Sequence, residues 1–176
     1  MQTSKEWWER VKHDPFLLVR WLRDQYHGEA VAAIRMAKFV ERFGDQAKFA
    51  ERKTVEEIAR QEQRHADWIG QLLLDRGVAP ALLEKTERYW DEALKGIDSW
   101  DTGCAVAAHA EGMRLERIRV IASDPEGPAD VREVFSRILP QEEFHERAFG
   151  TFASDAALFT TLGNHQAGAI ALGLVA

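Results

Sequence analysis

Two ten-residue blocks, Gln61-Glu62-x-x-His65 running on to Gly70 and Gln141-Glu142-x-x-His145 running on to Gly150, each set a carboxylate and an imidazole three residues apart. On an α-helix that spacing points both side chains the same way, so each block offers one oxygen and one nitrogen donor to a common point. A single block means little: among 18 glutamates and 6 histidines, chance supplies roughly one such spacing. The duplication is the constraint. Upstream stand His27-Gly28-Glu29 and His109-Ala110-Glu111, displaced from each other by 82 residues, while the Glu-x-x-His blocks are displaced by 80. The order Glu, then Glu-x-x-His, therefore occurs twice, as expected of a duplicated helical hairpin in which each copy carries half of a di-metal carboxylate site.

Hydrophobic spacing puts these residues on buried seams. Pro15 suits the first turn of a helix, and the pattern then runs unbroken to Gly44, with Leu22, Tyr26, Glu29, Ala33, Met36, Val40 and Phe43 on one side. A second helix is predicted from about Gln46 to Arg76, ahead of Gly77, with Val55, Ile58, Glu62, His65, Ile69 and Leu72 on its seam. Residues 78–99, containing Pro80 and Tyr89-Trp90, read as a long crossover holding a short helix. A third helix begins near Asp98 or Asp101 and carries Cys104, Ala108, Glu111, Leu115 and Ile118. The fourth begins about Pro128 and carries Val131, Phe135, Ile138, Glu142, His145 and Phe149. Ser154-Asp155 then caps a short C-terminal helix reaching about residue 174. Four carboxylates buried in such a bundle need compensation, since desolvating even one ionised group costs several kcal/mol. Two divalent cations cancel four carboxylates, and two neutral imidazoles complete the donor set. The alternative is that the six residues form buried ion pairs or face solvent on helices rotated differently.

Composition narrows the class. A chain of 176 residues with 45% hydrophobic content, 30% charged content and five prolines suits one mainly helical domain with a single core. The net charge of −6 argues against a nucleic-acid groove, despite the short basic stretch Arg114, Arg117 and Arg119. With Cys104 as the sole cysteine there is no intrachain disulfide, no zinc ribbon and no iron–sulfur site from this chain, so electrons would come from an external donor. The segment 1–14 lacks the apolar run of a signal peptide, and the apolar stretch Ala167–Ala176 is far shorter than the roughly 20 residues of a membrane span. A cytoplasmic protein with no membrane span is expected, its C-terminal helix packed on the bundle or on a second copy in a homodimer.

From about Pro15 to Phe152 the chain resembles the ferritin-like di-iron superfamily, and most closely the erythrin domain of rubrerythrin-like proteins. Gly28-Glu29-Ala30 through Gly44 to Glu62-Gln63-Arg64-His65-Ala66 is similar to the first rubrerythrin helix pair in motif and length. The resemblance implies an all-α, ferritin-like four-helix bundle with a long crossover between helices 2 and 3, spanning 1–176 as a single domain. It implies Glu29, Glu62, His65, Glu111, Glu142 and His145 as metal ligands, with Glu62 and Glu142 bridging two iron ions for which manganese or zinc can substitute. An oxidoreductase reacting with O2 or hydrogen peroxide is the leading expectation, because six ligands on four helices leave coordination positions open. The alternatives are a ferroxidase or other iron-handling protein, and a di-iron hydroxylase of a small molecule or tRNA.

Three departures qualify what is inherited. No rubredoxin module is encoded in these residues. Arg114 stands where rubrerythrins carry an extra carboxylate; a guanidinium cannot ligate a metal, so Arg114 is expected to pair with a carboxylate at the rim or lie in solvent. Gln61 and Gln141 precede the bridging glutamates where many di-iron oxygenases have Asp, so a different set of contacts must orient the histidines. Tyr26, one turn before Glu29, is read chiefly as a packed core tyrosine, with a hydrogen bond to a ligand as the functional alternative. His27 and His109, two residues from their glutamates and about 200° around the helix, point away from the metals. Pro140 inside the fourth helix is expected to kink it, either opening the bundle beside the site or facing solvent as a tolerated irregularity.

Overall fold

The computed structural model describes residues 3–84 and 88–173, and among these the chain forms seven α-helices and no strand. Four long helices make the bundle: α2 (Pro15–Phe43), α3 (Phe49–Leu74), α5 (Trp100–Ser123) and α6 (Ala129–Phe152). Three shorter ones flank it: α1 (Ser4–Lys12), α4 (Arg88–Ala93) and α7 (Asp155–Ala171). The fold is the all-α four-helix bundle that the resemblance implies, built from the two hairpins of the duplication. Helices α2 and α3 pack along each other as one hairpin, and α5 and α6 as the other. The hairpins meet mainly through α3 and α6, while α2 and α5 scarcely touch.

Local chemistry sets the helix ends. Asp14 caps α2 by accepting from the amides of Phe16 and Leu17, with Pro15 at the first helical position. Gly44 ends α2 in a right-handed conformation and leads into a 3-10 turn, Gly44–Gln46, so α3 starts at Phe49 rather than Gln46. At its other end α3 stops at Leu74, because Gly77 adopts a φ of 72° and the amides of Val78 and Gly77 bond back to Leu73 and Leu74 in a Schellman turn. Ser99 and Ser154 cap α5 and α7. The helix α6 continues through Pro140, whose side chain is exposed, which matches the solvent-facing alternative for that residue.

The N-terminal segment, which carries no secondary-structure expectation, is helical. Thr3 and Glu6 form a capping box, and Trp8 is buried against Trp21 with its indole N–H donating to Asp124 at 2.8 Å. Lys12 reaches the same carboxylate at 2.9 Å. Helix α1 is thereby fastened to the α5–α6 turn.

The core is two apolar layers with a polar layer between them. One layer gathers Trp8, Leu22, Ile69, Leu72, Ile118, Phe135 and Ile138; the other gathers Phe43, Val55, Ile58, Trp100, Cys104 and Phe149. Along every long helix the glutamates and histidines of the repeated blocks fall between these layers. No helix among the described residues is long and apolar enough to cross a membrane.

Candidate metal centre

The seams deliver Glu29 from α2, Glu62 and His65 from α3, Glu111 from α5, and Glu142 and His145 from α6 to a single cluster at the middle of the bundle. Five of the six are 0% exposed and Glu111 is 3% exposed. Two overlapping groups have donor atoms lying within 4.8 Å of one another: Glu29, Glu62, His65 and Glu142 make one, and Glu62, Glu111, Glu142 and His145 the other. Glu62 and Glu142 belong to both. Each imidazole lies nearest the shared glutamate of the opposite hairpin, His65 Nδ1 being 3.1 Å from Glu142 and His145 Nδ1 3.0 Å from Glu62.

The far side of each ring is held by the glutamine of the facing block. His65 Nε2 donates to Gln141 Oε1 at 3.2 Å, and His145 Nε2 donates to Gln61 Oε1 at 2.7 Å. The exchange is reciprocal. Because the carboxamide oxygen accepts Nε2–H, the neutral imidazole keeps its lone pair on Nδ1, facing the cluster.

Arg114 pairs with a carboxylate, as expected, but inside the cluster rather than at its rim: its guanidinium ion-pairs with Glu29 and stands 3.8 Å from both Glu62 and Glu111 and 3.9 Å from Glu142. The reason is electrostatic. Arg114 sits one turn after Glu111, and a long apolar stem with a permanent charge at its end is drawn toward buried anions that water does not reach.

Proton positions follow from this geometry. Burial lifts Glu62 and Glu111 well above the ordinary carboxylate range, and the nearby Glu142 charge lifts them further. Burial opposes ionisation of Glu29 and Glu142 as well, but Arg114 and His65 outweigh it and hold both below their usual value. For His65 burial is overcome by Glu142 and Glu29, which raise it to about 9; for His145 burial prevails and lowers it to about 4. Burial and charge thus sort the cluster: Glu29 and Glu142 favour the anionic form beside Arg114 and His65, while Glu62 and Glu111 are driven toward the neutral acid.

Hydrogen bonding leaves a specific remainder. Glu29 Oε2, Glu111 Oε2, both oxygens of Glu62 and of Glu142, and Nδ1 of both histidines are buried without a hydrogen-bond partner. Eight converging, unsatisfied donor atoms of oxygen and imidazole type are costly in an apolar bundle and match the ligand set of divalent transition metals.

The remaining candidates take quieter places. Tyr26 packs on the core, its ring edge 3.4 Å from where a Cβ on Gly70 would stand, and makes no hydrogen bond to the cluster among the described residues. His27 accepts from the Leu83 amide at 3.1 Å, and His109 stacks on His165 and donates to the Leu158 carbonyl, so both turn away from the cluster as their spacing predicts. Cys104 is buried, and burial pushes its thiol up to about 12.

A duplicated helical hairpin that buries four carboxylates and two imidazoles between two apolar layers defines a ferritin-like protein with a metal-binding-capable centre. The family model described as Rubrerythrin matches residues 22–153, and the chain belongs to that family. These residues correspond to the erythrin, ferritin-like di-iron domain, and the sequence contains no rubredoxin module. No curated protein and no solved structure matches the chain.

Proposed function

We propose that the cluster is a two-iron centre and that the protein is an oxidoreductase reacting with O2 or hydrogen peroxide. The observation that carries the reading is the pair of overlapping donor groups built from buried, unsatisfied atoms. In this reading Glu29 and His65 hold one ion, Glu111 and His145 the other, and Glu62 and Glu142 bridge both. Bound there, two iron ions would supply the redox chemistry toward dioxygen or peroxide. The chain supplies the rest. Gln61 and Gln141 fix each ring with Nδ1 inward, the apolar layers exclude water from both ends, and Arg114 offers a fixed positive charge beside Glu29. With its only cysteine buried, the domain takes electrons from an external donor.

The test is reconstitution with Fe(II) without oxygen, metal analysis, then rapid mixing with O2 or hydrogen peroxide. Two iron atoms per chain, oxidised once and re-reduced by an added donor, support the reading; one or no bound ion overturns it. Continued oxidation of many Fe(II) equivalents into a soluble ferric core would instead make the protein an iron-handling ferroxidase, and faster O2 consumption in the presence of an organic or tRNA substrate would make it a hydroxylase. A homodimer is the proposed assembly, checked by light scattering; α7 leaves Phe159 and Ile170 exposed as apolar surface for it.

A further inference from the structure

On the flank of the cluster opposite the histidines, α2 and α5 stand apart and leave a cleft of about 1480 Å³, bounded also by residues of α1, α4 and α7. Among the described residues its wall carries Arg10, Arg20, Arg23, Arg35, Arg88 and Arg117, with Arg114 also lining it, and no lysine. Among the described residues, Asp24, Glu84 and Glu116 bring negative charge to it. Seven arginines against three carboxylates concentrate positive charge here, in a chain whose net charge is −6. Arg20, Arg23 and Arg88 have no ion-pair partner among the described residues.

Flat apolar surface lies between these charges. The Arg117 guanidinium covers the Trp7 ring at 4.8 Å and that of Arg35 covers Trp90 at 3.8 Å, with Trp21 on the same wall. Arg117 laid on the Trp7 indole leaves its edge N–H groups directed away from the ring, and the planar pair favours a planar guest. Gly28 adds space beside Glu29: a Cβ there would meet nothing within 4 Å, so packing does not require glycine at this mid-helix position. Arg114 joins cleft and cluster, its side chain lining the one and ion-paired within the other. Were two divalent ions bound to four carboxylates and two neutral imidazoles, its charge would be left unbalanced beside the opening.

We propose that this cleft binds a small organic anion, a carboxylate on a planar ring system, with its ring against the indoles and its carboxylate on the cleft arginines, on the Arg114 side of the centre. Binding itself rests only on the cleft; its placement beside a metal centre rests on the two-iron reading above.

The probes are 2-naphthoate, its neutral counterpart 2-naphthamide, and inorganic phosphate, titrated calorimetrically into metal-free and Mn(II)-loaded protein. Naphthoate should bind about tenfold tighter than either comparison compound, a difference the arginine–carboxylate pairing supplies. The double variant Arg20→Ala/Arg23→Ala, both side chains being exposed, should weaken naphthoate by about tenfold with unchanged melting temperature and metal stoichiometry. Gly28→Leu, which fills the space beside Glu29, should weaken it too. Equal affinity for naphthamide, equal affinity for phosphate, tighter binding of an RNA hairpin, or no loss in the double variant would each overturn the proposal. Two bound metals without naphthoate binding would sink the cleft alone, whereas naphthoate binding to a chain that takes up no metal would sink the two-iron reading alone.

Discussion

On the α3–α6 flank of the cluster each histidine is fully buried and hydrogen-bonded to a glutamine from the facing helix, whereas on the α2–α5 flank the carboxylates meet Arg114, whose side chain is 25% exposed and lines an open cleft. The first flank is closed by short, reciprocal contacts between buried side chains; the second is held by a long charged side chain with a route outward. The comparison teaches where the site is fixed and where it can be displaced. A metal arriving among the carboxylates competes with Arg114 on the open flank and with the proton of His65 on the closed one.

The largest expected effect tests the shared layer between the flanks. Glu62→Ala or Glu142→Ala should reduce bound metal from two ions per chain to below one, because each residue belongs to both donor groups, while Glu29→Ala or Glu111→Ala should leave about one ion. Metal analysis after reconstitution decides, and equal losses in all four variants would remove the bridging assignment.

Arg114→Gln addresses the open flank. Removing one partner of a buried ion pair destabilises by about 3 kcal/mol, and that loss should appear in the melting of metal-free protein only. Metal affinity should rise, since a competitor of the ions is gone. A variant that lowers stability equally with and without metal would show Arg114 to be simple packing.

Gln61→Ala and Gln141→Ala probe the closed flank. Loss of the partner that orients a ligand histidine lowers metal affinity by about 10- to 100-fold, and each variant should weaken the ion on the histidine of the opposite hairpin, Gln61 acting on His145 and Gln141 on His65. Weakening on the variant's own hairpin would contradict the crossed pairing.

Protons sharpen the same contrast. Metal binding must displace the proton of His65 and is opposed by the raised affinity of Glu62 and Glu111 for protons, so loading at neutral pH should release protons, and affinity should fall as pH is lowered. His65 rises from 6.5 to about 9 on folding, so its contribution to metal-free stability is complete below 6.5 and is lost as pH climbs through 9. Melting curves of metal-free protein between pH 6 and 10 should show that loss, and loaded protein should not. The smallest effect expected is at Gly28→Ala, which should stabilise α2 by about 1 kcal/mol because a methyl group meets no neighbour there.

Much of the architecture was legible because it is written in local periodicity. Glu62, His65, Glu142 and His145 sit four residues from Ile58, Ile69, Ile138 and Phe149 respectively, so burial of the apolar residues carries the polar ones inward. Helix α1 escaped notice although Thr3-x-x-Glu6 ahead of Val11 is a readable capping signal. The carboxylate pairing of Arg114 follows from its charge, but its depth in the cluster does not, because the carboxylates that draw it inward come from other helices. The cleft arginines come from separate stretches, Arg20 and Arg23 on α2 and Arg117 on α5, and their only linear trace is a preference for arginine over lysine, 16 to 7.

The sequence by itself determined which residues turn inward: a duplicated Glu and Glu-x-x-His on amphipathic helices has one buried side, and helical geometry fixes that within each segment. Only tertiary structure decided which partners meet across helices. The glutamine of one hairpin orients the histidine of the other, Arg114 of α5 neutralises Glu29 of α2, and α2 and α5 part to leave a basic cleft, because these depend on how far apart the helix axes settle once the apolar layers above and below have packed.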